Sequence, residues 1–308
     1  MPRRSQTLLA SSLAIVSAVL SATDAFASQQ VPGQATGQAT GQATGDAAVN
    51  PTPVASTPAQ ASDDASAVAA SENPWRVEVT AWIWIVGMDG TVSARGREAD
   101  VNASFGDILD ASDSIFAFSG RVEAGVGAWS GFIDGVYSNL GVDDQSGPAG
   151  NADIDVDFET VLIDAGLMYR LGEWRPEGHA ATRPVTLDLY AGFRYTNLDI
   201  TVDPAMFPAR SQSQSWFDPI VGAKLVYPFA DSWRVAVNGD IGGFGAGSDF
   251  TWSTTGVLGY DFTIGSAGAS AYVGYRAIGQ DYSEGSGASA FTWDVVQHGP
   301  ILGLSLRF

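Results

Sequence analysis

The chain contains no cysteine and only two histidines in 308 residues. Without thiols there is no disulfide framework and no attachment point for an N-terminal lipid. Bases are scarce too: 15 Lys and Arg stand against 34 Asp and Glu, a formal net charge of −19. So acidic a chain is a poor partner for nucleic acid, where protein cations on phosphate carry the affinity. Beyond the first 20 residues there is no long apolar run, so no helix of the mature chain is predicted to cross a bilayer. Gly239 to Gly247 is glycine-rich, but no Lys-Ser or Lys-Thr follows it. It reads as a strand end and not as a phosphate loop.

What is present begins with a leader. Arg3 and Arg4 precede an apolar stretch from Leu8 to Leu20, followed by Ala25-Phe26-Ala27. A basic start, a core too short for a bilayer and an A-x-A site predict a secretory signal over 1–27, removed before Ser28. From Ser28 to Asn73 the chain is mostly Gln, Ala, Thr, Gly, Pro and Ser, with Gly-Gln-Ala-Thr three times running. Such a segment buries too little apolar area to offset its chain entropy, and 28–73 is expected to be a disordered periplasmic linker.

The fold is carried by 74–308. Helix-period stripes are rare there, while period-two alternation recurs between turn-like clusters. Ten strands are predicted: Trp75 to Gly87, Ile115 to Gly127, Trp129 to Val142, Asp153 to Leu171, Pro184 to Val202, Ser215 to Phe229, Ser232 to Phe244, Phe250 to Thr263, Ser270 to Tyr282 and Phe291 to Phe308. Short connections at Ala128 to Ser130, Ala230 to Asp231 and Gly265 to Gly268 alternate with longer ones at Asp143 to Ala152, Asp203 to Gln214 and Gly285 to Ala290. Between Met88 and Ser114 the pattern is ambiguous: Thr91 to Ser104 fits an extra hairpin and Phe105 to Asp113 a short helix. Eight and twelve strands are therefore the alternatives to ten.

Parity says which face is which. In Phe250 to Thr263 the even positions are Phe250, Trp252, Thr254, Gly256, Leu258, Tyr260 and Phe262, and the odd ones are mostly Thr and Ser with Asp261. One face is greasy and the other wet. Extended over all strands, this assignment places Arg76, Arg121, Arg170, Arg194, Lys224, Arg234, Arg276 and Arg307 on the polar face, against Glu78, Glu123, Asp134, Asp164, Asp188, Asp218, Asp240 and Asp261. Ions persist away from water when they are paired and hydrogen-bonded. A balanced set predicts a cross-linked polar plug, whereas a wide conducting pore favours an excess of one sign.

The last strand is the most informative. Leu302, Leu304, Leu306 and Phe308 alternate with small or charged residues up to the chain's final aromatic. In this the chain resembles the small outer-membrane barrels of Gram-negative bacteria, of the opacity-protein-like or porin-like kind. In that class such a strand looks like the signal read by the barrel-assembly machinery. The resemblance implies an all-β fold, a closed antiparallel transmembrane β-barrel. It further implies a bacterial outer-membrane location, with the linker in the periplasm and the long loops outside. Expected partners are outer-membrane lipids, lipopolysaccharide, the barrel-assembly machinery and periplasmic chaperones; no cofactor and no metal are expected. The function expected is structural or that of a narrow-pore surface protein, and not enzymatic. A small-solute or hydrophobic-molecule channel and a lipid-modifying enzyme are the alternatives, with a soluble secreted β-domain as a third.

Enzymes of that membrane rely on His with Ser or Asp. His179 falls in the connection Glu173 to Thr182 and reads as a solvated loop residue; His298 shares a face with Asp294 and reads as an outward interfacial one. Asp153, Asp155, Asp157 and Glu159 form an acidic row on one face of a strand end. It reads as a solvated edge, with weak divalent-cation binding as the sharper alternative. Trp75, Trp129, Trp233, Tyr169, Tyr227 and Phe229 fall near predicted periplasmic ends, as a headgroup belt requires. Trp82, Trp84 and Trp216 fall at inward parity, where they are expected to pack the lumen.

Overall fold

Alternation of β-branched and aromatic residues with small and polar ones suits a pleated sheet and little else. In the computed structural model, which describes residues 75–94, 97–103, 106, 114–146, 153–178, 181–204 and 209–308, it yields twelve strands. They are β1 (Trp75–Trp84), β2 (Gly87–Ala94), β3 (Arg97–Ala103), β4 (Ser114–Val126), β5 (Trp129–Ser146), β6 (Asp153–Trp174), β7 (Val185–Pro204), β8 (Arg210–Ala230), β9 (Trp233–Gly243), β10 (Phe250–Ile264), β11 (Ala267–Glu284) and β12 (Phe291–Arg307). The signal expected over 1–27, the linker expected over 28–73, Pro74, His179 and, Gly106 apart, the helix expected over Phe105 to Asp113 lie outside the described residues.

Each strand from β4 to β12 pairs antiparallel with its sequence neighbour, and β1 pairs with both β4 and β12. The sheet therefore closes as a ten-strand antiparallel barrel, with β2 and β3 as an additional hairpin. Closure runs from Glu78 opposite Arg307 to Trp84 opposite Ile301. The chain then breaks at Ile85 and Val86, and β2 takes over the upper half of β12, from His298 opposite Gly87 to Phe291 opposite Ala94. Gly299 makes this hand-over sterically feasible, because a Cβ there would stand 1.8 Å from the Ile85 carbonyl oxygen. The extra hairpin thus starts earlier than Thr91, since Gly87 and Met88 already belong to its first strand.

The barrel has two unlike ends. At one end lie Trp75, Phe308 and two-residue turns at Gly127-Ala128, Asp231-Ser232 and Gly265-Ser266. Gly127 and Gly265 both sit at φ +60°, the left-handed geometry that lets a hairpin reverse without splaying its strands. At the other end the strands run further than the sequence suggested. β7 continues to Pro204 and β8 begins at Arg210, inside the segment Asp203 to Gln214 expected to be a loop. Ser and Gln alternate there with the same period of two, and their polarity hid the strand. With β5 and β6, these extensions form a four-stranded projection beyond the barrel wall.

The barrel is apolar outside. Leu302 and Leu304 are 60 % and 59 % exposed, Ile133 and Leu167 are similarly open, and β8 presents Phe217, Val221, Leu225, Tyr227 and Phe229 outward. Near the turn end, Trp75, Trp129, Tyr169, Trp233, Tyr227 and Phe229 are all exposed, and Trp129 meets Tyr169 with ring centroids 4.9 Å apart. The interior has two layers. Toward the long-loop end Met88, Val101, Leu198, Trp216, Tyr282, Trp293 and Val295 pack together, with Trp216 and Tyr282 stacked at 4.1 Å. A second group beneath them, Trp84, Val136, Leu162, Ile278 and Ile301, is also dry. The lumen is therefore apolar in this part, where Trp84 and Trp216 pack it with Trp82 beside them, and the inward positions of the hairpin and of upper β11 and β12 add further large apolar groups.

Candidate functional site

Below the apolar layers, inward side chains of seven strands converge on one chain of charges. Asp164 on β6 and Arg194 on β7 stand directly opposite each other in the ladder. Arg194 donates from Nε and Nη2 to the two Asp164 oxygens at 2.8 and 2.9 Å, from Nη2 to Asp240 at 3.1 Å and from Nη1 to Thr251 at 3.0 Å. Asp240 also accepts from the Tyr190 hydroxyl at 3.0 Å and from Ser253 at 2.6 Å. Arg276, on β11, joins Asp134 at 3.0 Å and Asp164 at 3.9 Å. Arg121 links Asp134 at 3.7 Å to Glu123 at 3.5 Å, and Lys224 closes the series on Glu123 at 2.8 Å. Four acids alternate with four bases, and Arg194 at the centre is fully buried.

Rings complete the solvation of two of these cations. Arg276 lies over Trp82 and Trp84, 5.8 and 5.4 Å from the ring centres, and its Nε has no hydrogen-bond partner among the described residues. Arg121 lies 4.3 Å from the Phe132 ring centre. Such contacts are most favourable where water is excluded.

Nearer the turn end a second set gathers around Asp261. It accepts from Arg307 at 2.9 Å, pairs with Arg234 at 3.7 Å, and is bonded by Arg183 and Ser270. Arg234 also meets Glu78 at 3.7 Å, and Arg170 bridges Asp188 and Glu173. Arg76 stands at the rim and donates to the Gly127 carbonyl at 2.8 Å. Arg183 and Glu173 were absent from the set expected by parity, because both lie in or beside a connection where alternation gives no direction. Asp218 departs from the expected ion pairing. It accepts from the Ser248 amide at 2.6 Å, the Ser248 hydroxyl at 2.9 Å and Trp216 Nε1 at 3.1 Å, and no base among the described residues reaches it. Its work is to tie the β9–β10 connection to the wall.

Between the two sets is a cavity of about 620 Å³ running to the turn end. Its walls include Arg76, Arg121, Arg170, Arg183, Lys224, Arg234, Arg276 and Arg307, more than half of the bases in the whole sequence. Seven acids share the lining, Glu78, Glu123, Asp134, Asp164, Asp188, Asp240 and Glu173, so the surface is close to neutral in a strongly acidic chain. The cavity stops beneath the Arg194 layer and the stacked rings above it.

Outside the lumen, His298 faces outward. It pairs through Nε2 with Asp89 at 2.7 Å and through Nδ1 with the Tyr275 hydroxyl at 2.5 Å, so its partner is Asp89 on β2 and not Asp294. Of the acidic row, Asp155 and Asp157 are exposed, and Glu159 accepts from the Tyr137 hydroxyl at 3.0 Å. Among the described residues no cluster of three or more His, Asp or Glu is arranged to hold a metal ion.

No family model matches the chain, and no curated protein does. Solved structures with a similar architecture include the attachment invasion locus protein Ail of Yersinia pestis, at 11% identity and a TM-score of 0.34, covering 76% of this chain and 98% of that one. The outer membrane protease OmpT of Escherichia coli has 10% identity and a TM-score of 0.41, over 77% of this chain and 97% of that one. The translocator domain of the autotransporter NalP of Neisseria meningitidis has 14% identity and a TM-score of 0.31, over 76% and 87%.

Proposed function

We propose that the chain is an integral outer-membrane protein, structural or narrow-pore in character, with its turn end in the periplasm and its long-loop end outside. One observation carries the reading: the wall is apolar on the outside and ion-paired within, the reverse of a water-soluble sheet protein. On β8 the outward apolar positions run from Phe229 to Phe217, longer than the roughly 9–11 residues a tilted strand needs to cross the hydrocarbon. The C-terminal residues Leu302, Leu304, Leu306 and Phe308 all face outward at the turn end, where assembly machinery and periplasmic chaperones would meet them. Lipids and lipopolysaccharide are the partners of the apolar band.

The lumen functions as a plug in this reading. An ion crossing it would have to part the Arg194–Asp164–Asp240 cluster and then the Trp216–Tyr282 stack. A small-solute channel is the second reading, favoured by the 620 Å³ cavity beneath that plug. Catalysis is not part of the proposal: the described histidine has both ring nitrogens engaged on the outer wall, with Asp89 and Tyr275.

Two measurements test this. Fractionation followed by electrophoresis of boiled and unboiled samples should find the protein in the outer membrane with heat-dependent mobility, and a soluble, heat-indifferent band would reject the membrane assignment. Purified protein in planar bilayers should give a flat trace or small steps. Large, stable openings would replace the plug by a channel.

A further inference from the structure

The projection at the long-loop end leaves one strand edge without a neighbour. β8 pairs with β7 along the whole stretch from Arg210 to Trp216, through partners from Val202 to Thr196. On its other side the ladder with β9 begins only at Ile220, opposite Gly242. The β9–β10 connection covers the next few residues, since Ser248 bonds Asp218 and a Cβ at Gly247 would stand 2.3 Å from the Phe217 carbonyl. From Arg210 to Trp216 no strand among the described residues takes up the outward-pointing backbone groups. This edge lies beyond Phe217, the last large apolar residue facing outward on β8, and its outer face carries only Ser211, Ser213 and Ser215.

The face beside the edge is acidic to an unusual degree. Asp155 stands directly opposite Asp203, and Glu159 directly opposite Asp199, with Asp157 between them on the same face. Like charges in opposed positions of a ladder repel, and beside Asp157, Glu159, Asp199 and Asp203 the sequence supplies no base from Asn197 to Asp203 on β7 or from Ser211 to Ser215 on β8, Arg210 opposite Val202 being the one base of the edge itself. The serines matter sterically. Asp199 is paired with Ser213, so a long cationic side chain on an added strand could lie across the small serine and reach the carboxylate.

We propose that the Arg210–Trp216 edge of β8 docks an extended, basic segment of another protein, which joins the sheet as a further antiparallel or parallel strand. Backbone hydrogen bonds would hold it, and lysines or arginines at every second position would settle over Ser211 and Ser213 toward Asp199 and Asp203. A second copy of this chain is a poor occupant, because edge-to-edge pairing brings two acidic faces together.

The experiment uses the full-length protein in detergent micelles and a fluorescent twelve-residue peptide of alternating Lys and Thr, read by anisotropy. Binding is expected at low salt, weakening by about tenfold when added salt shrinks the Debye length to a few ångströms. A D199N/D203N variant should weaken it by about fivefold, as expected for two exposed ion pairs. The same peptide N-methylated at alternate amides keeps its charge but cannot extend a ladder, and should lose binding by about tenfold or more. Equal binding of the methylated peptide would show simple charge attraction and overturn the proposal. So would the absence of binding, or concentration-dependent dimers of the protein that the peptide fails to dissociate.

Discussion

Arg194 Nε and Nη2 grip the two oxygens of Asp164 at 2.8 and 2.9 Å across the β6–β7 ladder, and Nη2 is shared with Asp240 at 3.1 Å. A guanidinium held this way, fully buried, compensates two carboxylates that are themselves almost wholly buried. Replacing it alone should leave Asp240 with only the neutral Tyr190 and Ser253 donors, and Asp164 with only the longer contact to Arg276 at 3.9 Å. Arg194→Met is expected to cost about 3–5 kcal/mol, read from the unfolding midpoint in urea by tryptophan fluorescence. Adding Asp164→Asn and Asp240→Asn to it should recover part of the loss. If the triple variant were no more stable than the single one, buried charge would not be the source of the cost.

Tyr190 leans across Gly222 to reach Asp240, and a Cβ at Gly222 would stand 2.5 Å from the Tyr190 ring and 2.4 Å from the Gly239 carbonyl. Neither neighbour has room to give, since one is backbone and the other is hydrogen-bonded. Gly222→Ala should therefore destabilise the barrel by about 1–3 kcal/mol. Gly256→Ala, where nothing lies within 4 Å, should be close to neutral. The temperature at which the unboiled gel band shifts would rank the two variants.

Phe244 holds a left-handed backbone at φ 51°, between Gly243 and Gly245, which also have positive φ. A bulky residue there is strained, and its ring is exposed. Phe244→Gly should raise stability by about 1 kcal/mol, visible as a higher melting temperature.

Asp231, in the turn between β8 and β9, accepts the Thr182 amide at 2.9 Å. That bond, with help from the Arg183 charge, holds its carboxyl below the usual carboxylate range. A depressed folded pKa contributes stability above the unfolded value, near 3.9, and loses it as pH falls through the folded one. Hydrogen exchange at the Thr182 amide should thus stay slow at neutral pH and quicken, beyond its intrinsic pH trend, only in strong acid. In Asp231→Ala it should be fast throughout. Equal protection in both proteins would remove Asp231 as the anchor of that connection.

Most of the wall could be read from the chain itself, because a period of two with lipid-like residues on one parity leaves few folds open. Phe250 to Thr263 and the strand ending at Phe308 have this form, and their predicted inward residues are buried or half-buried apart from Thr263 beside the turn. The β2–β3 hairpin was only a suspicion, since Arg97, Glu98 and Asp100 mix charges into both parities. The top of β8 was hidden by its Ser and Gln. Partnership inside the lumen was harder still. Asp134 and Arg276 are 142 positions apart and meet across the barrel, where strand stagger and not sequence spacing decides the distance. Asp218 followed the parity rule for direction but not for chemistry, because its partner Ser248 is supplied by a connection whose shape alternation does not specify.

The hand-over at Ile85 and Val86 makes β12 a double seam, zipped to β1 along one half and to β2 along the other. Both partners come from the start of the described barrel and β12 lies more than 190 residues further along, so the ring cannot be sealed until β12 has been made. Contacts of such long sequence separation form slowly, and meanwhile two bare edges stay open to wrong pairing. The tight fit of Gly299 under the Ile85 carbonyl then sets the vertical position of that late join: a side chain there would jam the zip partway, trapping a C-shaped intermediate instead of a finished ring.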